Sequence, residues 1–131
     1  DYTLAGFCVM GGIFSEGIDL TGEKLIGAVL VGTGLPGLGV EREILMKYYD
    51  EHGEKGFDYA YRYPGMNKVL QAAGRVIRTG RDRGVVALLD DRFLTEEYLR
   101  LFPREWKEYH SCRIGEMEVI LKEFWSDSCF S

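Results

Sequence analysis

The sequence is poor in the residues that build metal centres and disulfide frameworks. Its 131 residues include only three cysteines, Cys8, Cys112 and Cys129, and two histidines, His52 and His110. The cysteines are odd in number, widely spaced and never arranged as CxxC, which argues against a zinc site or a set of disulfides. Reduced thiols in a cytoplasmic protein are the simpler reading. No apolar run approaches the ~20 residues that cross a bilayer, and no signal peptide is visible, so no membrane partner is expected. Excess positive charge is also lacking, with a formal net charge of −5. A polyanion must therefore meet a local basic patch, and Arg75, Arg78, Arg81 and Arg83 supply one. The chain opens at Asp1 without a methionine, which suggests a fragment or a processed product.

What is present suits one folded domain over residues 1–131. The chain is 46% hydrophobic and 28% charged, a balance that buries a core and argues against disorder. Three short apolar runs each end in loop residues: 7–10 before Gly11 and Gly12, 28–31 before Gly32, and 85–89 before Asp90 and Asp91. Unbroken apolar runs predict parallel strands covered on both faces. Helices are expected over 41–52, where Ile44, Leu45, Tyr48 and Tyr49 share one face, and over 66–78. Thr95 is placed to cap a third helix, with Glu96 and Glu97 in its first turn and Pro103 beyond its end. Met117, Ile120, Leu121, Phe124 and Trp125 form the apolar stripe of a last helix, best read as core packing. Segment 53–64 is the least readable, and its alternating Tyr59, Tyr61 and Tyr63 suggest a short strand. The alternation of strands and helices gives an α/β fold, a parallel sheet flanked by helices. Ligands in such folds bind at the carboxyl ends of strands, here loops 11–19, 32–39 and 90–93.

The chemistry concentrates in Gln71-Ala72-Ala73-Gly74-Arg75-Val76-Ile77-Arg78. On an ideal helix Gln71, Arg75 and Arg78 fall within roughly 60° of one another, opposite Met66, Val69, Leu70, Ala73, Val76 and Ile77. Two guanidiniums on one rigid face suit phosphate, because each offers a permanently charged planar fork of donors. Gly74 costs about 1 kcal/mol of helix propensity against alanine, which makes sense where another backbone or a ligand comes close. The plainer reading is a solvated face whose ion pairs are worth about 0–1 kcal/mol each. A second constellation, residues 12–19, follows the first apolar run. There Ser15 and the N–H groups near Gly17 are placed for a phosphate backbone, and Asp19 for a ribose hydroxyl. Its plainer reading is a strand–loop connection with an Asx turn.

Together the two segments carry a family resemblance. Ser15-Glu16-Gly17-Ile18-Asp19 is similar to motif V of the DinG/XPD helicases of superfamily 2. Gln71 to Arg78 is similar to their motif VI, and Asp82, Gly84, Asp90 and Arg92 match the usual continuation. The family consists of ATP-driven DNA helicases in which two RecA-like domains clamp ATP and single-stranded DNA crosses both. The resemblance implies a partial RecA-like fold, the C-terminal portion of the second motor domain. It implies that Arg75 and Arg78 reach ATP phosphates, Arg78 as the arginine finger, and that Gln71, Gly17 and Asp19 join the nucleotide contacts. Ser15 and Glu16 would couple single-stranded DNA to that cleft. The GxxxxGK[ST] phosphate loop and an acidic magnesium box are missing, so ATP and Mg are expected to be held with the first motor domain of the parent chain. An iron–sulfur cluster, common in the family, would also belong to the parent, since no four-cysteine set is present here. The isolated chain is expected to be inactive and open to self-association through surface that a partner domain would cover.

Two other classes compete. Gly32-Thr33-Gly34-Leu35-Pro36-Gly37 is a GxGxxG after a strand, with Asp58 at a distance suited to a ribose, as in dinucleotide-binding oxidoreductases. Against this, Pro36 and Gly39 delay the helix that the glycines should open. A non-catalytic interaction module, docking through aromatics such as Trp106 and Tyr109, is the third reading. Retention of Gln71, Arg75 and Arg78 together argues for an active parent instead.

Overall fold

The computed structural model describes residues 3–12, 25–80 and 82–126. It comprises two compact units, Asp1–Leu101 and Phe102–Ser131. In the first, strands β1 (Gly27–Val31) and β2 (Val85–Leu89) pair in parallel, with Gly27 opposite Val85 and Val31 opposite Leu89. Between them run helix α1 (Val40–Glu51), a π-helical turn (Asp58–Arg62) and helix α2 (Tyr63–Ala73). A 3-10 turn (Asp91–Leu94) and the short α3 (Glu96–Leu99) follow β2. The α/β class and both strands match the sequence expectation.

The core lies where α2 meets β1 and the turns around it. Met66, Val69 and Ala73 recur at helical spacing on α2, and all three are buried with Leu30, Ala60, Val76, Phe93 and Tyr98. The sheet is less covered than unbroken apolar strands imply, because Val29 and Val31 of β1 remain 62% and 73% exposed. Residues 7–10 form no strand. A strand needs a ladder partner, and among the described residues the sheet contains only β1 and β2. Phe7 is 99% exposed, and the run ends in a turn where the Gly12 N–H donates to the Val9 carbonyl at 3.0 Å.

Segment 58–63 is helical, correcting the short strand expected there. The Tyr63 N–H reaches back five residues to the Asp58 carbonyl, the signature of a π turn. Pro64 is the cause that the sequence offers. It has no N–H to give the Ala60 carbonyl, and an α-helical path would press its ring against that oxygen. The Ala60 carbonyl instead accepts from Arg42 Nη1 of α1 at 3.0 Å. Tyr59 stacks on Tyr49 of α1, centroids 4.0 Å apart, so the tyrosines pack between helices and do not alternate across a sheet.

Helix α2 stops at Ala73, five residues before the end that periodicity suggests. The N–H groups of Arg75 and Val76 bond three residues back, to Ala72 and Ala73 at 3.2 and 3.0 Å, so the last turn tightens. This rotation buries Val76 and leaves Ile77 half exposed. Val76 packs over Gly84 at the entrance to β2, where a Cβ would overlap the valine Cγ1 and lie 3.1 Å from the Ile26 carbonyl. Gly84→Ala is therefore expected to destabilise the chain by about 1–3 kcal/mol through overpacking. Urea unfolding checks this, and a change below 0.5 kcal/mol, roughly the scatter of surface substitutions, would refute it.

The second unit contains a 3-10 turn (Arg104–Trp106) and helix α4 (Ile114–Ser126). Phe102 meets Trp106 and Tyr109 edge to face, at 5.3 and 5.8 Å. The expected core stripe on α4 is only half covered: none of its residues is buried, and Trp125 is 43% exposed.

Candidate functional site

The residues singled out in 71–78 do not share one helical face. Gln71 stands exposed on the last turn of α2, Arg75 is half-buried in the tightened turn beyond it, and Arg78 is exposed on the loop leading to β2. The buried Ala73 and Val76 alternate with them and root the segment in the core. Gly74 is exposed, and no other segment's backbone comes within 4 Å of where its Cβ would be; the nearest atoms are the Leu70 and Gln71 carbonyl oxygens. The glycine thus relieves crowding against the preceding turn, where a Cβ would sit only 3.2 Å from the Leu70 carbonyl oxygen. Ser15, Glu16, Gly17 and Asp19 lie outside the described residues.

The loop carrying Arg78 is tied by a carboxylate. Asp82 Oδ2 accepts the backbone N–H groups of Arg78 at 2.9 Å and Thr79 at 2.8 Å, and the Asp82 N–H donates to the Thr79 carbonyl at 3.2 Å. These two N–H donors, Arg78 first, hold the Asp82 carboxyl below its ordinary range. Because the folded pKa is lowered, the tie is complete at neutral pH and is lost only as pH falls through that depressed value. The sequence signal was local: an aspartate placed three and four residues after N–H groups that have left a helix.

The carboxyl ends of β1 and β2 open on a cleft of about 490 Å³, lined in part by Met10, Gly32, Thr33, Lys68 and Arg92. Arg92 forks onto Asp90, with Nε to Oδ1 at 2.8 Å and Nη2 to Oδ2 at 2.7 Å. That guanidinium keeps the Asp90 carboxyl below the usual range, and the carboxylate in turn raises Arg92. Thr33 is 1% exposed, and its hydroxyl has no hydrogen-bond partner among the described residues. An unmet buried hydroxyl costs roughly 1–3 kcal/mol. Thr33→Val is expected to raise the thermal midpoint by a few degrees, by about 1 kcal/mol of added stability; an unchanged or lowered midpoint in calorimetry would show that the hydroxyl has a partner.

The glycine loop after β1 serves packing. Gly34 has φ +66°, and a Cβ there would lie 2.7 Å from the Gly65 carbonyl of α2. Helix α1 opens only at Val40, after Gly39 in extended backbone with no side-chain cap. Asp58, the ribose candidate, is 2% exposed and paired with Arg62 and Arg100. The dinucleotide-binding reading therefore loses both its phosphate loop and its acid.

Comparison with known proteins decides the family. A profile described as the helicase C-terminal domain matches residues 2–109. The chain belongs to the helicase C-terminal domain family. It is 33% identical over 117 residues to the ATP-dependent DNA helicase chl-1 of Caenorhabditis elegans, an alignment covering 88% of this chain and 14% of that protein. The chain thus spans a small part of that relative. This helicase C-terminal domain is of the DinG/XPD-like superfamily 2 type, and its parallel pair with flanking helices is part of a RecA-like α/β fold. Among the described residues of this helicase domain, no group of three or more His, Cys, Asp and Glu side chains is arranged to hold a metal ion. None of its described helices is long and apolar enough to cross a membrane.

Proposed function

We propose that residues 1–131 are the C-terminal portion of the second motor domain of an ATP-dependent DNA helicase. In this reading the chain forms one wall of an ATP site that the first motor domain completes. Arg78 is the arginine finger, Arg75 contacts the phosphates, and Gln71, Gly17 and Asp19 complete the nucleotide contacts. Ser15 and Glu16 couple single-stranded DNA to the cleft. ATP arrives with Mg, and the cation is held by the other wall. Any iron–sulfur cluster likewise belongs elsewhere in the parent.

The observation that carries this reading is the way α2 ends. Ala73 and Val76 are buried, so the turn is fixed to the core, while Gln71, Gly74 and Arg78 are exposed to solvent. A guanidinium on such a fixed support meets phosphoryl charge with little reorganisation, which is how electrostatic stabilisation of a transition state is achieved. The Caenorhabditis elegans relative is an ATP-dependent DNA helicase, which suggests the substrate class. The test is ATPase activity with and without single-stranded DNA for the parent, its Arg78→Ala variant and this chain alone. We expect a DNA-stimulated parent, a crippled variant and a silent chain. An active chain would place the main ATP site within these 131 residues and overturn the two-wall reading.

A further inference from the structure

Arg78 has left the helix, so no ladder of i to i−4 bonds fixes its backbone. A finger must nevertheless reach a phosphate with sub-ångström constancy, because a misplacement of about 1 Å costs on the order of 100-fold in rate. The segment between α2 and β2 is pinned at one end by buried Val76 against Gly84, and at the other by β2 itself. Between these points a single oxygen, Asp82 Oδ2, collects the N–H groups of Arg78 and Thr79. The Asp82 N–H closes the turn on the Thr79 carbonyl at 3.2 Å. Charge-assisted bonds of this kind are stronger than neutral ones, and two of them on adjacent residues fix the two peptide planes that flank the Arg78 Cα.

We propose that Asp82 is the positioning residue for Arg78, holding the backbone from which its guanidinium reaches the transferring phosphate. This rests on the finger role of Arg78 and adds a residue that acts only through it. The carboxylate's role runs through its bonds to the Arg78 and Thr79 N–H groups, and no contact to nucleotide or DNA is assigned to it. Its effect is therefore confined to turnover, and vanishes when the arginine is gone.

The experiment is a double-mutant cycle on the parent protein, reading DNA-stimulated ATPase, KM for ATP, single-stranded DNA affinity and thermal midpoint. Asp82→Ala is expected to lower kcat by on the order of 100-fold, with KM and DNA affinity nearly unchanged. In an Arg78→Ala background, Asp82→Ala adds no further loss, since residues acting as a unit are non-additive. Asp82→Asn retains most activity, because its carboxamide oxygen accepts the same two N–H groups. Full activity of Asp82→Ala beside a crippled Arg78→Ala would overturn the positioning role and leave the finger intact. Losses that multiply in the double variant would also overturn it. So would a fall in midpoint and DNA affinity together with kcat in both Asp82 variants, since that pattern marks a purely structural residue. An active Arg78→Ala would remove the finger and the positioning role with it.

Discussion

Arg78→Ala in the parent protein is expected to lower single-stranded-DNA-stimulated ATPase by about 10³–10⁵-fold, the range measured for arginine fingers. That corresponds to roughly 4–7 kcal/mol of transition-state stabilisation. Stability should not follow. Arg78 is exposed on a loop, and surface substitutions away from special features usually stay within about 0.5 kcal/mol. The contrast between a large kinetic loss and an unmoved unfolding midpoint is the diagnostic. Arg78→Lys is expected to rescue little, because an ammonium lacks the planar fork that spans two phosphate oxygens. Turnover within a few-fold of the parent would show that Arg78 serves the surface alone, and would favour a non-catalytic interaction module.

The largest stability effect is expected at Asp58. This carboxylate is 2% exposed at the start of the π turn, and it joins Arg62, four residues on, with Arg100 Nη2 at 3.0 Å. The Arg62 guanidinium also lies over the Phe57 and Tyr98 rings, 5.4 Å from each centroid. The ion pair thus fastens the root of α2 to the α3 turn. Removing one partner of a buried pair costs about 3–5 kcal/mol, because the other charge stays buried and unpaired. Asp58→Ala should lose that much in urea unfolding, a large share of the 5–15 kcal/mol typical of a domain. Arg100 is 45% exposed, so Arg100→Ala should lose only about 0–1 kcal/mol. A loss at Asp58 no greater than that at Arg100 would mean that water already solvates the pair. Since α2 rises directly from this turn, the same loss would loosen the support of Gln71 and Arg75.

Local sequence alone determined a good deal. The runs 28–31 and 85–89 became β1 and β2, because β-branched and leucine side chains bounded by glycine and aspartate have no better local option. Helix α1 likewise follows from spacing, and α3 starts after Thr95 as expected, although the Thr95 hydroxyl donates to the Arg92 carbonyl at 2.8 Å and caps no N–H of the helix. Motif order and identity, from Ser15 to Asp19 and from Gln71 to Arg78, carried the family, since that information resides in residue types.

Tertiary structure decided the rest. Periodicity extended α2 to Arg78, but it cannot weigh Val76 against Ile77, which are equally apolar. The choice was made by Gly84, beyond the helix at the entrance to β2, whose missing side chain admits Val76 where the helix tightens and ends. The π turn at 58–62 arose because Pro64 withdraws a donor and Arg42 of another helix supplies the replacement. Asp58 looked like an acid available to a ligand and became a buried ion-pair centre through Arg100, 42 residues away. Each of these outcomes depends on a partner outside the element itself, and the element's own pattern carries no record of which group will arrive.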